Sequence, residues 1–329
     1  MNWSELPKVE LHLHLDCSLS FEVVRMFDPA INEATYNFLY KAPINCQNLI
    51  EYIERAERAI QWMQTPEQLR LVTLDLFRQL KKDGVIYAEM RFAPLQHLRQ
   101  GMTPEQVVEA VCTATEEGIK TYGIEAGIIL CTLRHYTEDQ SMETVKLAEQ
   151  FRNRHVVGFD IAADETGFTL KEHVSAFAYA REHGISITAH AGEAAGASSV
   201  WNTLELLRPT RIGHGVRSIE DPSLIQHLKK EDIHLEVCPT SNCLTKTTSA
   251  YANHPADQLY RDGISLSINT DGRTISNISL SEEFKKMQEH FGWEKAHWHH
   301  VTTEAIRHSF ASSEVKKQLM DQVQHYFEN

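Results

Sequence analysis

Eight short runs rich in β-branched and apolar residues recur along the 329-residue chain, separated by longer stretches of helical character. They are Val9–His14, Val85–Phe92, Ile124–Leu130, Val156–Ala162, Ile185–His190, Arg211–His214, Ile233–Val237 and Ile264–Asn269. Such runs read as buried strands, and strands joined by helical crossovers pair in parallel. The helix starts have good local chemistry. In Thr65-Pro66-Glu67-Gln68 and Thr103-Pro104-Glu105-Gln106 the Thr caps, the Pro takes the first helical position and the Gln occupies the capping-box position. Eight such units predict an α/β fold, a (β/α)8 barrel of the TIM type, with its active site at the C-terminal strand ends. About 70 residues separate the first two strands, which implies extra helices, read here from Asn48 to Lys82, as a wall or lid over the barrel mouth. No repeat or linker marks a boundary, so residues 1–329 are expected to form one domain.

Charge narrows the partners. The formal net charge is −13, which repels DNA or RNA and favours a small, weakly charged substrate. Met1 to Lys8 lacks the basic and apolar regions of a secretory signal, and no run approaches the ~18 apolar residues of a membrane span. A soluble, cytoplasmic protein with no membrane partner is expected, its oligomeric state left open. Cys17, Cys46, Cys112, Cys131, Cys238 and Cys243 form no CxxC pair and are expected as reduced thiols, with Cys238 and Cys243 as packing residues. His297, His299 and His300 read as a solvated helical face, and Ser312 to Phe327 as a closing amphipathic helix.

The unusual polar residues fall almost entirely at the ends of the expected strands. The first ends in His12-Leu13-His14-Leu15-Asp16, the second in Arg91-Phe92-Ala93-Pro94 and the fourth in Asp160-Ile161-Ala162-Ala163-Asp164-Glu165. The fifth ends in His190-Ala191-Gly192-Glu193, the sixth in His214-Gly215, the seventh in Cys238-Pro239-Thr240-Ser241-Asn242 and the eighth in Asn269-Thr270-Asp271-Gly272-Arg273. In a barrel these ends converge on one pocket.

His12 and His14 are two residues apart on a strand, so both imidazoles point the same way with Cα atoms roughly 7 Å apart. A lone His-x-His is a weak signal. Joined by His190 and Asp271 it becomes three nitrogens and a carboxylate, a catalytic zinc shell with a position left for water. Zinc lowers the pKa of a bound water from 15.7 to about 7, and a nearby imidazole can take the proton as the water attacks. His214 fits that base, and Glu193 fits the acid that protonates a ring nitrogen beside the attacked carbon. On spacing alone, Glu193 as a partner orienting His190 and His214 as a structural donor stay open.

At these residues the chain resembles the adenosine deaminase family. Leu6-Pro7-Lys8-Val9-Glu10-Leu11-His12-Leu13-His14-Leu15-Asp16 looks like its N-terminal signature. His190-Ala191-Gly192-Glu193, Arg211-Ile212-Gly213-His214-Gly215, Glu236-Val237-Cys238-Pro239-Thr240-Ser241-Asn242 and Asn269-Thr270-Asp271 match its later blocks in order. The resemblance spans essentially the whole chain. It implies one zinc ion per chain held by His12, His14, His190 and Asp271, with Glu193 donating a proton to purine N1 and His214 acting as the base. It also implies that Asp16 contacts the sugar, with His14 bordering the substrate, and that adenosine or 2′-deoxyadenosine is deaminated for purine salvage.

Three positions depart from the common family form. Gly272 stands where many relatives carry an Asp or Asn that reaches purine N7, a loss of about 0.5–1.5 kcal/mol for one hydrogen bond. Ala163 replaces a Gly whose backbone approaches the purine edge, and Cys17 replaces a Gly after Asp16. Gly272 with Arg273 is expected to leave room for a bridging water or a substituent on the nucleoside. The alternatives are therefore a deaminase of free adenine or of a modified adenosine such as aminofutalosine, or a non-catalytic nucleoside-binding protein. The last is disfavoured because the expected ligands, acid and base are all present.

Overall fold

The computed structural model describes residues 2–328. Its strands are β1 (Lys8–His14), β2 (Val85–Phe92), β3 (Glu125–Leu133), β4 (Val156–Ala162), β5 (Ser186–Ala191), β6 (Arg211–His214), β7 (His234–Val237) and β8 (Leu266–Ile268). They pair in chain order, every pair parallel, with helices between them. The barrel closes from last strand to first. Leu13 bridges Asp271, the His14 amide donates to the Asp271 carbonyl at 2.8 Å, and the Asp271 amide donates to the His12 carbonyl at 3.0 Å.

The eighth strand is shorter than the run Ile264–Asn269 that suggests it. Oδ1 of Asn269 accepts the amides of Leu11 at 2.8 Å and His12 at 3.1 Å. A side chain thus supplies the pairing that a continuing backbone would have made, and the strand ends at Ile268.

Five helices fill the interval between β1 and β2: α1 (Phe21–Phe27), α2 (Glu33–Tyr40), α3 (Leu49–Ile53), α4 (Ala56–Ile60) and α5 (Pro66–Lys82). The last three lie in the expected region, and the first two precede it. α1 and α2 are set by their caps, with Ser20 accepting the Val23 amide and Asn32 the Thr35 amide. Seven and eight residues span only about two turns, too short to stand out by periodicity. Thr103 forms a complete capping box with Gln106. Thr65 caps the Gln68 amide, but Gln68 reaches back to the Gln64 amide instead.

The inside of the barrel holds charge. Arg91 donates to Asp160 and Glu236, each at 2.7 Å, and Arg211 to Glu236 at 2.7 Å and Glu89 at 2.6 Å. All five residues are fully buried. Burial alone would raise the Glu236 carboxyl, but Arg91 and Arg211 hold it well below the usual carboxylate range. At the opposite end from the strand C-termini, Lys8 donates to the carbonyls of Trp3 at 2.5 Å and Leu6 at 2.7 Å. Burial pulls its ammonium down to about 8.

Outside the strands the packing is apolar. The closing helix runs Ser313–Glu328 and buries Leu319 and Val323 in a cluster with Val9 and Leu11 of β1. His299 and His300 are exposed, and His297 accepts the Glu294 amide at its own helix start. All six cysteines are free. Among the described residues no helix is long and apolar enough to cross a membrane.

Candidate active site

The strand ends surround a pocket of about 860 Å³ including its open mouth. His14, Asp16, Cys17, Ala163, His190, Glu193, His214 and Asp271 line its floor. Leu49, Tyr52 and Ile53 of α3, with Ala56, Glu57 and Ile60 of α4, form one wall, so the inserted helices do cover the mouth.

The imidazoles crowd the floor. Nε2 of His14 lies 3.2 Å from Nε2 of His190 and 3.3 Å from Oδ1 of Asp271. Nε2 of His12 lies 3.5 Å from the same oxygen and has no hydrogen-bond partner, although His12 is fully buried. The other ring nitrogens explain this. Nδ1 of His12 donates to Glu236 at 2.8 Å, and Nδ1 of His190 to Asp160 at 3.1 Å. In neutral rings that leaves the lone pairs of both Nε2 atoms facing the same dry space. Converging lone pairs beside a carboxylate need a cation between them, so this donor set fits a metal ion. His12, His190, His214 and Asp271 offer ligand atoms all within 4.8 Å of one another, and His14 adjoins them.

Glu193 follows β5 in a turn through Gly192, whose φ of 70° is left-handed. Oε1 accepts from Thr245 at 3.1 Å, and Oε2 lies 3.5 Å from Nε2 of His214. Burial, then Asp271, then Glu165 push the Glu193 carboxyl well above its ordinary value. His214 and Asp271 have φ of 61° and 66°. Such left-handed backbone is costly for residues with a Cβ and clusters where function demands it. Ala163 sits at φ 79° on the pocket wall, a conformation that a glycine would adopt freely. Burial raises the Asp16 carboxyl to about 6.

Two expectations need correction. Gly272 does not reach the pocket lining: a Cβ there would stand 2.8 Å from Cβ of Cys17 and 3.0 Å from Oη of Tyr52. Those two side chains fill the space that a residue at 272 would use, so no room for a bridging water arises from the glycine. Arg273 turns away from the pocket, with ion pairs to Glu10 at 2.9 Å and Asp83 at 2.5 Å, and is buried between them. Consecutive residues leave the strand end in different directions, which adjacency in sequence does not reveal.

Other functional neighbours were not singled out by the sequence. Glu165 braces the Glu193 turn, Ser241 donates to Oδ2 of Asp271 at 2.6 Å, and Tyr52 packs behind Cys17. Asp160, Glu165 and Ser241 lie in the quoted strand-end segments and Glu236 in a quoted family block, yet only their geometry shows whom they serve.

The adenosine deaminase family model matches residues 7–326. An adenosine deaminase from Clostridium acetobutylicum is 37% identical over 322 residues, covering 96% of each chain. Among solved structures, an adenine deaminase from Arthrobacter aurescens has the same fold, with a TM-score of 0.89 at 24% identity over 98% of this chain and 100% of its own. The Arabidopsis ADAL protein complexed with IMP gives a TM-score of 0.87 at 26% identity, covering 100% of this chain and 99% of its own. With a family match over nearly its whole length and a barrel whose strand ends gather four histidines, an aspartate and a buried glutamate, the chain belongs to the adenosine deaminase family.

Proposed function

We propose that the chain hydrolyses adenosine or 2′-deoxyadenosine to inosine or 2′-deoxyinosine and ammonia. The observation that carries this reading is Glu193, buried with Oε2 3.5 Å from Nε2 of His214 beside a cluster of His12, His190 and Asp271 that could hold a metal ion, at the floor of a mostly apolar pocket. His12, His14, His190 and Asp271 are the residues that would hold one Zn2+ per chain, and when bound such an ion lowers the pKa of a water to about 7.

The chain's own groups do the rest. Glu193 gives its proton to purine N1, which makes C6 electrophilic as the water's oxygen adds to it. Asp16, at the pocket edge, receives the sugar hydroxyls. The turn at Ala163 borders the base. Nε2 of His214, 3.5 Å from Oε2 of Glu193, borders the place where the water's oxygen adds. The inserted α3 and α4 wall keeps bulk water from the ring and so strengthens each of these contacts.

A nucleoside suits this pocket better than a nucleotide. Its acidic lining residues are Asp16, Glu57, Glu193 and Asp271, with no Lys or Arg to meet a phosphate. A cytoplasmic location belongs to the same proposal, supported by six unpaired cysteines.

Ultraviolet-monitored turnover by protein of known metal content tests the reading, with adenosine, 2′-deoxyadenosine, adenine, AMP and sugar-modified adenosines compared. Adenosine should be lost with one ammonia released per molecule, and Glu193→Gln should show no turnover. A higher kcat/KM for AMP, for adenine or for a modified nucleoside overturns the assignment of substrate.

A further inference from the structure

The chemistry of His214 depends on which ring nitrogen carries its hydrogen, and three buried hydrogen bonds decide this from the backbone outward. The Ala256 amide donates to Nδ1 of His254 at 3.1 Å. A backbone N–H only donates, so Nδ1 of His254 holds a lone pair and its hydrogen sits on Nε2. That Nε2 is 3.1 Å from the Asn242 carboxamide, and the atom it meets must therefore be the oxygen. The carboxamide nitrogen is left facing Nδ1 of His214 at 3.0 Å, where it donates. His254, Asn242 and His214 are 3%, 0% and 1% exposed, so water does not interrupt the chain.

We infer that Asn242 and His254 are positioning residues that hold His214 in the tautomer with hydrogen on Nε2, so that it meets the oxygen adding to the purine as a hydrogen-bond donor. This rests on the pocket being a nucleoside deaminase site, and it replaces the expectation of His214 as base. The nitrogen that faces the pocket has no lone pair with which to accept a proton. Nε2 of His214 and Oε2 of Glu193 are 3.5 Å apart, so two donors converge where negative charge develops. As the water's oxygen bonds to C6, one of its protons passes to the Asp271 carboxylate and N1 receives the proton of Glu193.

The test is ring-nitrogen NMR of zinc-loaded protein with 15N-labelled histidine, the His214 signals being assigned by their loss in His214→Gln. Nδ1 of His214 should resonate as a lone-pair nitrogen and Nε2 as a protonated one. Asn242→Asp keeps the shape but offers Nδ1 only an acceptor, so it should place hydrogen on Nδ1. In that variant kcat for adenosine should fall by about a hundredfold while KM stays within about threefold. His254→Gln, which can still accept from Ala256 and donate to Asn242, should retain the wild-type tautomer. Hydrogen on Nδ1 in the wild type overturns the inference, as does Asn242→Asp that moves the hydrogen and leaves kcat intact. If Asn242→Asp does not fold, the wild-type and His254→Gln spectra decide. The tautomer is read without substrate, so absence of adenosine turnover with the expected spectrum would remove the proposed reaction and leave the relay standing.

Discussion

The carboxylate of Glu165 holds the turn that carries Glu193. It accepts the amides of Gly192 at 2.6 Å, Glu193 at 3.0 Å, Ala194 at 2.7 Å and Ala195 at 2.9 Å, and the hydroxyl of Ser199 at 2.5 Å. One buried anion therefore fixes the backbone from which the acid projects, much as phosphate is held by a nest of amides. Glu165→Gln puts a donor among donors. It should lower unfolding free energy by about 2–4 kcal/mol and reduce kcat more than it raises KM, as checked by denaturant melts and steady-state kinetics.

Glu236→Gln should weaken metal binding. The variant removes the charge that Nδ1 of His12 and two buried arginines share. Loss of such an outer partner lowers affinity by about 10- to 100-fold, measurable by competition with a chelator. Leaving Arg91 and Arg211 undercompensated should also cost about 3–5 kcal/mol of stability.

Lys8 gives a pH dependence of known sign. Its ammonium titrates near 8 in the fold, below the 10.5 of an open chain. Between these values the unfolded chain binds more protons, so stability rises with pH across the window and is lost as pH falls through about 8. Relative to Lys8→Met, the wild type should gain about 2–3 kcal/mol between pH 7.5 and 10.5 in urea unfolding. A flat difference would show that the buried amine stays protonated across this window, as it does in the open chain.

Gly272→Asp should damage the enzyme on its own, because the new Cβ meets Cys17 and Tyr52 at 2.8 and 3.0 Å. Overpacking of this kind costs about 1–3 kcal/mol. Cys17→Gly removes the nearer contact, so the double variant should recover much of the stability and kcat/KM that the single one loses. Additive losses would mean that the two positions do not compete for space.

The barrel was legible because β-branched runs alternate with capped amphipathic stretches, and the pocket floor because His, Glu and Asp side chains ended those runs. What escaped had other causes. α1 and α2 are too short for a period, β8 stops where the Asn269 carboxamide replaces backbone, and Arg273 pairs with Glu10 and Asp83 far away in sequence. Glu165 was invisible as a brace because its partners are amides, which every residue possesses. Asn242 stood in a quoted motif, but its orientation depends on His254 and an amide beyond it, in a loop without a motif.

The seam between β1 and β8 joins His12 and His14 to Asp271, so barrel closure and assembly of the metal cluster happen together. During synthesis, both histidines leave the ribosome more than two hundred residues before the aspartate does. Until then the nascent sheet keeps an unpaired edge and half a coordination shell. A chain ending before β8 would lack Asp271 and leave the β1 edge at His12 and His14 without the partner that closes the barrel.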